Sequence, residues 1–139
     1  MSKDRGKQMR VRLWEPPYAV ARLRAVPAEL PGLEVDGPPV TLLVGHGEVS
    51  LLAPESVADR LGDLVEESSR GWRAFTLDAV FPLDSVGVLA AVGAALADVG
   101  VPIMVLSSHD TDHFLVPGHL LGRTLAALNQ IRLGRFLVR

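Results

Sequence analysis

The 139-residue sequence contains no cysteine. This absence excludes disulfide bonds, zinc–thiolate sites and cysteine nucleophiles. The sequence also lacks a long apolar run, since its most apolar region, residues 86–101, contains Asp98 and is too short to span a bilayer. The first ten residues lack the apolar core of a secretory signal. These absences predict a cytoplasmic protein with no membrane segment.

A concentrated basic surface is also missing. Lysine and arginine total 14 against 16 aspartates and glutamates, which gives a formal net charge of -2. Phosphate binding needs clustered basic residues, so we expect no nucleic-acid partner. Hydrophobic residues make up 48% of the chain, and the length is long enough for a buried core.

The second half shows a clear alternation of strands and helices. Residues 71–80 read as a strand, and residues 84–100 read as a helix with Asp84 or Ser85 as its N-cap and Gly100 at its end. Two strands follow, "VPIMVLSS" and "DHFLVP", and then a helix from Pro117 to about residue 133. The predicted apolar stripe of the first helix consists of Val88, Val92, Leu96 and Val99. "RFLVR" is predicted as a last short strand.

The first half follows a reduced version of the same plan. "YAVARLRAV" alternates like a strand, and the proline-rich residues 27–39 leave room for one or two helical turns. "VTLLVGH" and "EVSLLAP" form a predicted hairpin, followed by a short helix over residues 54–67. The expected fold is therefore α+β, with two ferredoxin-like (βαββαβ) units packed as one compact body. We assign residues 1–10 to a mobile tail, 11–70 to the first unit and 71–139 to the second, and leave open which unit "RFLVR" pairs with.

The segments "GWRAFTLDA", "GVLAAVGAALADVGVPI" and "SSHDTDHFLVPGHLLGRTLAAL" resemble the small tandem ACT-domain proteins of bacteria. These are similar to the ligand-binding halves of the eukaryotic cytosolic arginine sensors and, more distantly, to the regulatory domains of aspartate kinase. The resemblance covers roughly residues 11–130 and includes "YAVARL". It implies a regulatory module that binds a free amino acid and has no catalytic activity.

Proteins of this family usually have a segment like Leu-Asp-Phe-Ser-Leu-Thr-Gly before the helix. Here that segment is residues 81–87, which keeps Gly87 but has Val86 in place of the threonine. The family hairpin usually carries two aromatic residues, and these are replaced by His109 and His113. The resemblance implies a ligand site formed by Leu83, Asp84, Ser85, Val86, Gly87, Ser107, Asp110, Thr111 and Asp112.

Physical chemistry gives these residues a specific use. If both segments lie at one edge of an ACT unit, the backbone N–H groups at the helix start are suited to a carboxylate. Asp110 or Asp112 is suited to an ammonium group, and an amino acid carries both charges. Val86 and Phe81 would favour an apolar or modest-sized ligand side chain if they face the site.

Three other interpretations of "HDTDH" remain open. A metal site would need three or four converging ligands, and the spacing of His109 and His113 fits a helix better than a strand or turn. A catalytic site would use an aspartate as base, but Ser107 and Ser108 lack a nucleophile-elbow motif. The aspartates and threonine are also common turn formers.

The sequence therefore predicts a non-catalytic amino-acid-binding regulatory module without metal or cofactor. The other hypothesis is a structural or partner-binding ACT-like protein that has no small-molecule ligand. In both cases free strand edges favour self-association, and we expect a homo-oligomer, most simply a dimer.

Overall fold

The computed structural model describes residues 9–132. These residues form two compact units, of which unit 1 comprises residues 9–13 and 74–132, and unit 2 comprises residues 14–73. The predicted strand "RFLVR" and the first eight residues of the predicted tail lie outside the described residues. The elements are, in order, β1 (Val11–Leu13), β2 (Tyr18–Leu23), β3 (Thr41–Gly45), β4 (Glu48–Pro54), α1 (Glu55–Leu61), β5 (Val65–Leu77), α2 (Val88–Asp98), β6 (Met104–Ser107), β7 (Asp112–Pro117) and α3 (Leu121–Leu128).

Unit 2 contains the strand order β3-β4-β2 followed by the first part of β5, and the pairs β3–β4, β4–β2 and β2–β5 are antiparallel. The predicted hairpin is confirmed as β3 and β4. Its turn needs positive φ at His46 and Gly47, at 53° and 74°, a conformation that glycine adopts without steric cost. The buried residues of this unit's apolar cluster are Ala21, Leu23, Leu51, Ala53 and Val57.

The helix predicted over residues 54–67 is shorter in the structure. It ends at Leu61 because Gly62 has φ of 55°, and a 3₁₀ turn follows over Gly62–Leu64. Val65 already begins β5, whose charged residues pair with β2, as in Arg22 opposite Glu67. The prediction was wrong over 62–67 because these polar residues lie in a strand with an exposed face, not on a helix surface.

Unit 1 contains the end of β5, which pairs with both β1 and β7, and β6 pairs with β7. Val11 lies opposite Leu77, and Leu13 lies opposite Phe75. Met9 is 2% exposed, and its N–H donates to Ile131 O, while Arg10 O accepts from Asp78 N. Residues 9–13 therefore pack with the second half of the chain.

The core of unit 1 lies between its strands and α2 and α3. The rings of Phe75 and Phe114 are stacked with centroids 5.1 Å apart. Three of the four predicted α2 stripe residues, Val88, Val92 and Leu96, are buried, and Val99 packs against the same cluster. Apolar residues at helical spacing thus bury one side of α2, as predicted.

Two helix boundaries differ from the prediction. The residue before α2 is Gly87, with φ of 93°, and no side chain caps the helix, so the predicted capping by Asp84 or Ser85 is wrong. Ser85 N instead donates to Pro82 O over 2.9 Å, which closes a turn ahead of the helix. The predicted helix from Pro117 begins as a 3₁₀ turn over Gly118–Leu120 and continues as α3 only to Leu128.

The predicted α+β fold with antiparallel strand pairs is confirmed. Among residues 9–132, no helix has both the length and the apolar character that crossing a bilayer requires.

Candidate functional site

A cleft of about 310 Å³ in unit 1 lies between the start of α2 and the hairpin that joins β6 to β7. One wall is formed by the loop before α2 and by the first turn of α2. The other wall is formed by the hairpin. The first wall contains Phe81, Pro82, Leu83, Ser85, Gly87 and residues 88–90, and the second contains residues 107–112.

The helix wall combines backbone donors with apolar side chains. The N–H groups in the first turn of an α-helix have no acceptor within the helix, and no side chain caps those of α2. The positive end of the helix dipole lies at the same place. Phe81 and Val88 are buried beneath this wall, whereas Leu83 is 75% exposed and Leu89 is 46% exposed. The wall can therefore hold an anionic group beside an apolar one.

The hairpin wall carries the charged groups. Ser107 Oγ donates to Asp112 Oδ1 over 2.7 Å, which fixes one oxygen of that half-buried carboxylate. His109 Nδ1 lies 2.8 Å from Asp110 Oδ1, and both of these side chains are largely exposed. Among the described residues that line the cleft there is no lysine or arginine. The wall is therefore suited to a cationic group, and Asp112 is its better-oriented carboxylate.

Backbone and hydroxyl hydrogen bonds hold the hairpin in place. Phe81 N donates to Asp110 O over 2.8 Å, which ties the loop before α2 directly to the hairpin. Thr111 Oγ1 donates to Leu77 O over 2.9 Å. Ser108 N and Ser108 Oγ both donate to Thr111 O, at 2.9 and 3.0 Å. The two walls are thus connected by backbone contacts that do not depend on a ligand.

His113 supports the hairpin from β7. Its Nδ1 lies 2.7 Å from Thr76 Oγ1, and its Nε2 lies 3.0 Å from Ser108 Oγ. Burial lowers the pKa of His113 from its usual value, although the negative charge of Asp112 acts in the opposite direction. A neutral ring at physiological pH follows from this shift.

Seven of the nine residues predicted for the ligand site line the cleft. The other two are Asp84 and Val86, and Val86 is 89% exposed. The turn closed by Ser85 N and Pro82 O places these two residues away from the cleft lining. The seven residues that line it are Leu83, Ser85, Gly87, Ser107, Asp110, Thr111 and Asp112.

The sequence analysis did not include several other lining residues in the site. Residues 88–90 were missed because the helix start was placed too early. Ser108 follows Ser107 directly, and the paired serines were a signal that could have included it. The contact between His113 and Thr76 joins residues 37 positions apart and has no local signal in the sequence.

The geometry also bears on metal binding and catalysis. Within residues 9–132, no three histidine, aspartate or glutamate side chains converge as metal ligands. Ser108 and His113 form a serine–histidine contact, but the Ser108 hydroxyl donates to Thr111 O, and the far ring nitrogen contacts a threonine and not a carboxylate. This arrangement differs from an activated serine nucleophile, whose proton is directed at the histidine.

Comparisons with known proteins agree with this architecture. Residues 67–130 match the family model of the ACT domain. No curated protein matches the chain.

Several solved structures share the fold over most of the chain. Protein Atu0741 from Agobacterium tumefaciens is 28% identical with a TM-score of 0.72, covering 88% of each chain. VC0802 from Vibrio cholerae, described as a possible transport protein of unknown function, is 21% identical with a TM-score of 0.72, covering 91% of each chain. The regulatory subunit of aspartate kinase from Thermus thermophilus is 15% identical with a TM-score of 0.61, covering 88% of this chain and 97% of the other. The chain is therefore a small ACT-domain protein with an ACT-like fold, and its ACT domain spans residues 67–130.

Proposed function

We propose that this protein is a non-catalytic regulatory module that binds a free amino acid in the cleft of unit 1. The observation that carries the proposal is that one cleft combines the uncapped start of α2 with the Asp112 carboxylate. An amino acid carries both complementary charges on one carbon atom. No covalent step is needed for such a function.

The α-carboxylate of the ligand would bind at the first turn of α2. Three consecutive residues there, Val88, Leu89 and Ala90, line the cleft, and backbone N–H groups at a helix start are effective anion donors. Gly87 supports this geometry because its positive φ turns the chain sharply into the helix. An anion at this position also interacts favourably with the helix dipole.

The ammonium group would bind to Asp112. Ser107 Oγ already holds one oxygen of this carboxylate, so binding costs little side-chain ordering, and the second oxygen can accept from an ammonium group. Asp110 is a weaker candidate because its carboxylate contacts His109 and is 65% exposed. Asp112 is therefore the principal recognition residue of the proposed site.

The ligand side chain would pack against the apolar part of the helix wall. Leu83 and Leu89 are both exposed at the cleft, and a ligand that covers them removes apolar area from water, worth roughly 25 cal/mol for each Å². Acidic side chains are disfavoured by Asp110 and Asp112, with no cation on the described cleft lining to offset them. We propose an amino acid with an apolar side chain, acting in the cytoplasm on a partner protein.

The fold comparison supports a regulatory role. One of the similar structures is described as the regulatory subunit of aspartate kinase, and it matches this chain over nearly its whole length. By analogy, a separate small protein with this fold can act on an enzyme without being one.

A thermal-shift screen of the twenty free L-amino acids tests the proposal. A ligand present at a hundred times its dissociation constant adds about 2.7 kcal/mol of stability. We expect the largest shift from apolar amino acids, and isothermal calorimetry should give one site per chain. A chain that is stabilised by none of the twenty does not have the proposed function.

A second candidate function, self-association without a ligand, is favoured by the outer strands. Leu43 and Val44 are exposed on β3 of unit 2, and Val105 is exposed on β6 of unit 1. Among the described residues, β3 and β6 each pair with one strand only, and such edges can pair with a second copy. Sedimentation at micromolar concentration distinguishes this function, which requires a dimer that forms in the absence of any amino acid.

A further inference from the structure

His113 faces away from the helices of unit 1. The neighbouring residue Phe114 is buried in the core formed with α2 and α3, and successive side chains in a strand point to opposite faces. On that opposite face His113 contacts Thr76 of β5 and Ser108 of the hairpin. Ser108 also lines the cleft. His113 is therefore connected to the proposed ligand site through one intervening side chain.

The hydrogen bonds assign the tautomer of the His113 ring. The Ser108 hydroxyl has one hydrogen, which it donates to Thr111 O, so Nε2 of His113 must donate its hydrogen to Ser108 Oγ. Nδ1 then accepts from the Thr76 hydroxyl. In this arrangement the neutral ring is bonded at both nitrogens, and it holds Ser108 against Thr111 at the tip of the hairpin.

Protonation changes this arrangement in two ways. Nδ1 becomes a donor, so the Thr76 hydroxyl has to turn from donating to accepting. The ring also gains a positive charge beside Asp112, which is next to it in the chain. This charge attracts the carboxylate to which the ligand ammonium group would bind.

The other charged groups around the ring do not replace this effect. Arg12 of β1 lies opposite Thr76 in the strand register, where its fixed positive charge opposes protonation of His113. In the hairpin, His109 and Asp110 contact each other in an exposed pair. Asp112 is thus the carboxylate closest in sequence to the ring, and it is also the proposed ammonium partner.

We propose that His113 is a positioning residue whose charge state controls amino-acid binding in the cleft. The neutral ring holds the hairpin in the binding form, and the protonated ring competes with the ligand ammonium group for Asp112. The inference rests on the proposed amino-acid function and adds regulation by pH to it. Because burial lowers the pKa of His113, the binding form is the resting form at neutral pH, and acidification weakens binding.

The test measures affinity at two pH values, about 8 and about 5.5, on either side of the usual histidine pKa of about 6.5. The probes are the twenty free L-amino acids in thermal-shift assays, followed by calorimetry with each one that binds. Binding that opposes uptake of one proton loses at most about tenfold in affinity for each pH unit. We expect the wild type to lose several-fold in affinity at the lower pH.

Two variants separate the possible origins of this loss. His113→Gln keeps a donor and an acceptor at the end of its side chain but cannot be protonated, so its affinity ratio between the two pH values should be close to one. His109→Gln removes the other histidine of the hairpin, and its ratio should remain that of the wild type. The ratio compares each variant with itself, so a change in absolute affinity does not affect the result.

Titration of the histidine rings by NMR checks the inference without a variant. The His113 pKa should fall further when the amino acid is added, since the ligand favours the neutral ring. Amino-acid binding with the same affinity at both pH values would overturn the role of His113, and so would an unchanged ratio in His113→Gln. Absence of binding by every probe at both pH values would instead overturn the proposed function itself, and the inference with it.

Discussion

Units 1 and 2 differ most in the connection that follows a strand on the way to the hairpin. In unit 1 the connection after β5 contains α2, an 11-residue helix whose start lines the cleft. In unit 2 the connection after β2 contains four prolines within residues 27–39, and no helix forms between β2 and β3. Proline lacks a backbone N–H group, so this connection cannot supply a comparable set of donors.

The hairpins differ in the same direction. The hairpin of unit 2 turns through Gly45, His46 and Gly47, whereas the hairpin of unit 1 turns through residues that carry hydroxyl and carboxylate groups. Glu48 of unit 2 accepts a hydrogen bond from Ser50, as Asp112 of unit 1 accepts one from Ser107. A carboxylate held by a serine is therefore present in both units. The comparison teaches that the helix start, and not the carboxylate alone, distinguishes the proposed ligand site.

The largest expected effect comes from breaking the core of unit 1. Val92 is 0% exposed in the middle of α2, and Val92→Asp buries a carboxylate without a partner. An uncompensated buried charge costs roughly 3–5 kcal/mol, a large part of the stability of a small domain. We expect unit 1 to unfold, with rapid hydrogen exchange at the amides of β6 and β7.

The matched control is Ala94→Asp, which places the same carboxylate at an exposed position of the same helix. It should remain folded in urea and thermal melts. Equal stability of the two variants would show that α2 does not pack as described.

The next largest effect is on ligand affinity. Asp112→Ala removes the proposed ammonium partner, and loss of a charge-assisted hydrogen bond of about 1.5–3 kcal/mol weakens binding by roughly tenfold to a hundredfold. The melting temperature should change little, because the side chain is only half-buried. Calorimetry on the variant, run beside melting curves, measures both quantities.

Glu48→Ala makes the equivalent change in the hairpin of unit 2 and serves as its control. Its affinity for the amino acid should equal that of the wild type. If Asp112 is only a turn former, its removal lowers the melting temperature through lost local hydrogen bonds and leaves affinity unchanged.

The sequence predicted well those features that depend on local periodicity. Val88, Val92 and Leu96 recur at helical spacing and are buried, and the apolar alternation of β3 and β4 with glycines between them gave the hairpin. The hairpin of unit 1 was placed correctly for the same reason, since β7 spans Asp112–Pro117 as expected.

The features that were missed depend on contacts between distant residues or on competing local signals. Asp84 and Ser85 are residue types that commonly cap helices, but the turn from Pro82 to Ser85 delays the helix until after Gly87. The beginning of β5 is too polar to read as a strand by itself and forms by pairing with β2. The partner of His113 in β5 could not be inferred without the strand register.

At alkaline pH we expect a loss of stability that originates in unit 2. Tyr18 is 0% exposed and donates to Pro39 O over 2.6 Å, and burial raises the pKa of its phenol above the usual value of about 10. The unfolded chain therefore loses its phenol proton first, and stability falls as the pH rises through about 10. Tyr18→Phe should cost roughly 1 kcal/mol at neutral pH through the lost hydrogen bond and should lack this alkaline decrease.

Tyr18 is the sole tyrosine of the chain, so the ultraviolet absorbance of tyrosinate reports its ionisation directly. In the folded protein that signal should appear only together with unfolding. Parallel alkaline stability curves for Tyr18→Phe and the wild type would be the contrary result.

At acid pH we expect a smaller loss of stability that originates in unit 1. The pKa of His113 is lowered in the folded protein by burial, so the unfolded chain binds the proton first as the pH falls through about 6.5. The stability contributed by the neutral ring is complete above that pH and decreases until the folded-state pKa is reached. The decrease is limited because the ring is only half-buried and because the Asp112 carboxylate partly offsets the cost of the charge. Urea unfolding of the wild type and His113→Gln at pH about 7.5 and about 5 measures it, and the variant should lose less stability on acidification. His119→Gln, which removes an exposed histidine of the same unit, should behave like the wild type. An acid decrease that survives in His113→Gln but disappears in His119→Gln would assign the proton to the wrong ring and contradict the tautomer derived from the bonds to Thr76 and Ser108.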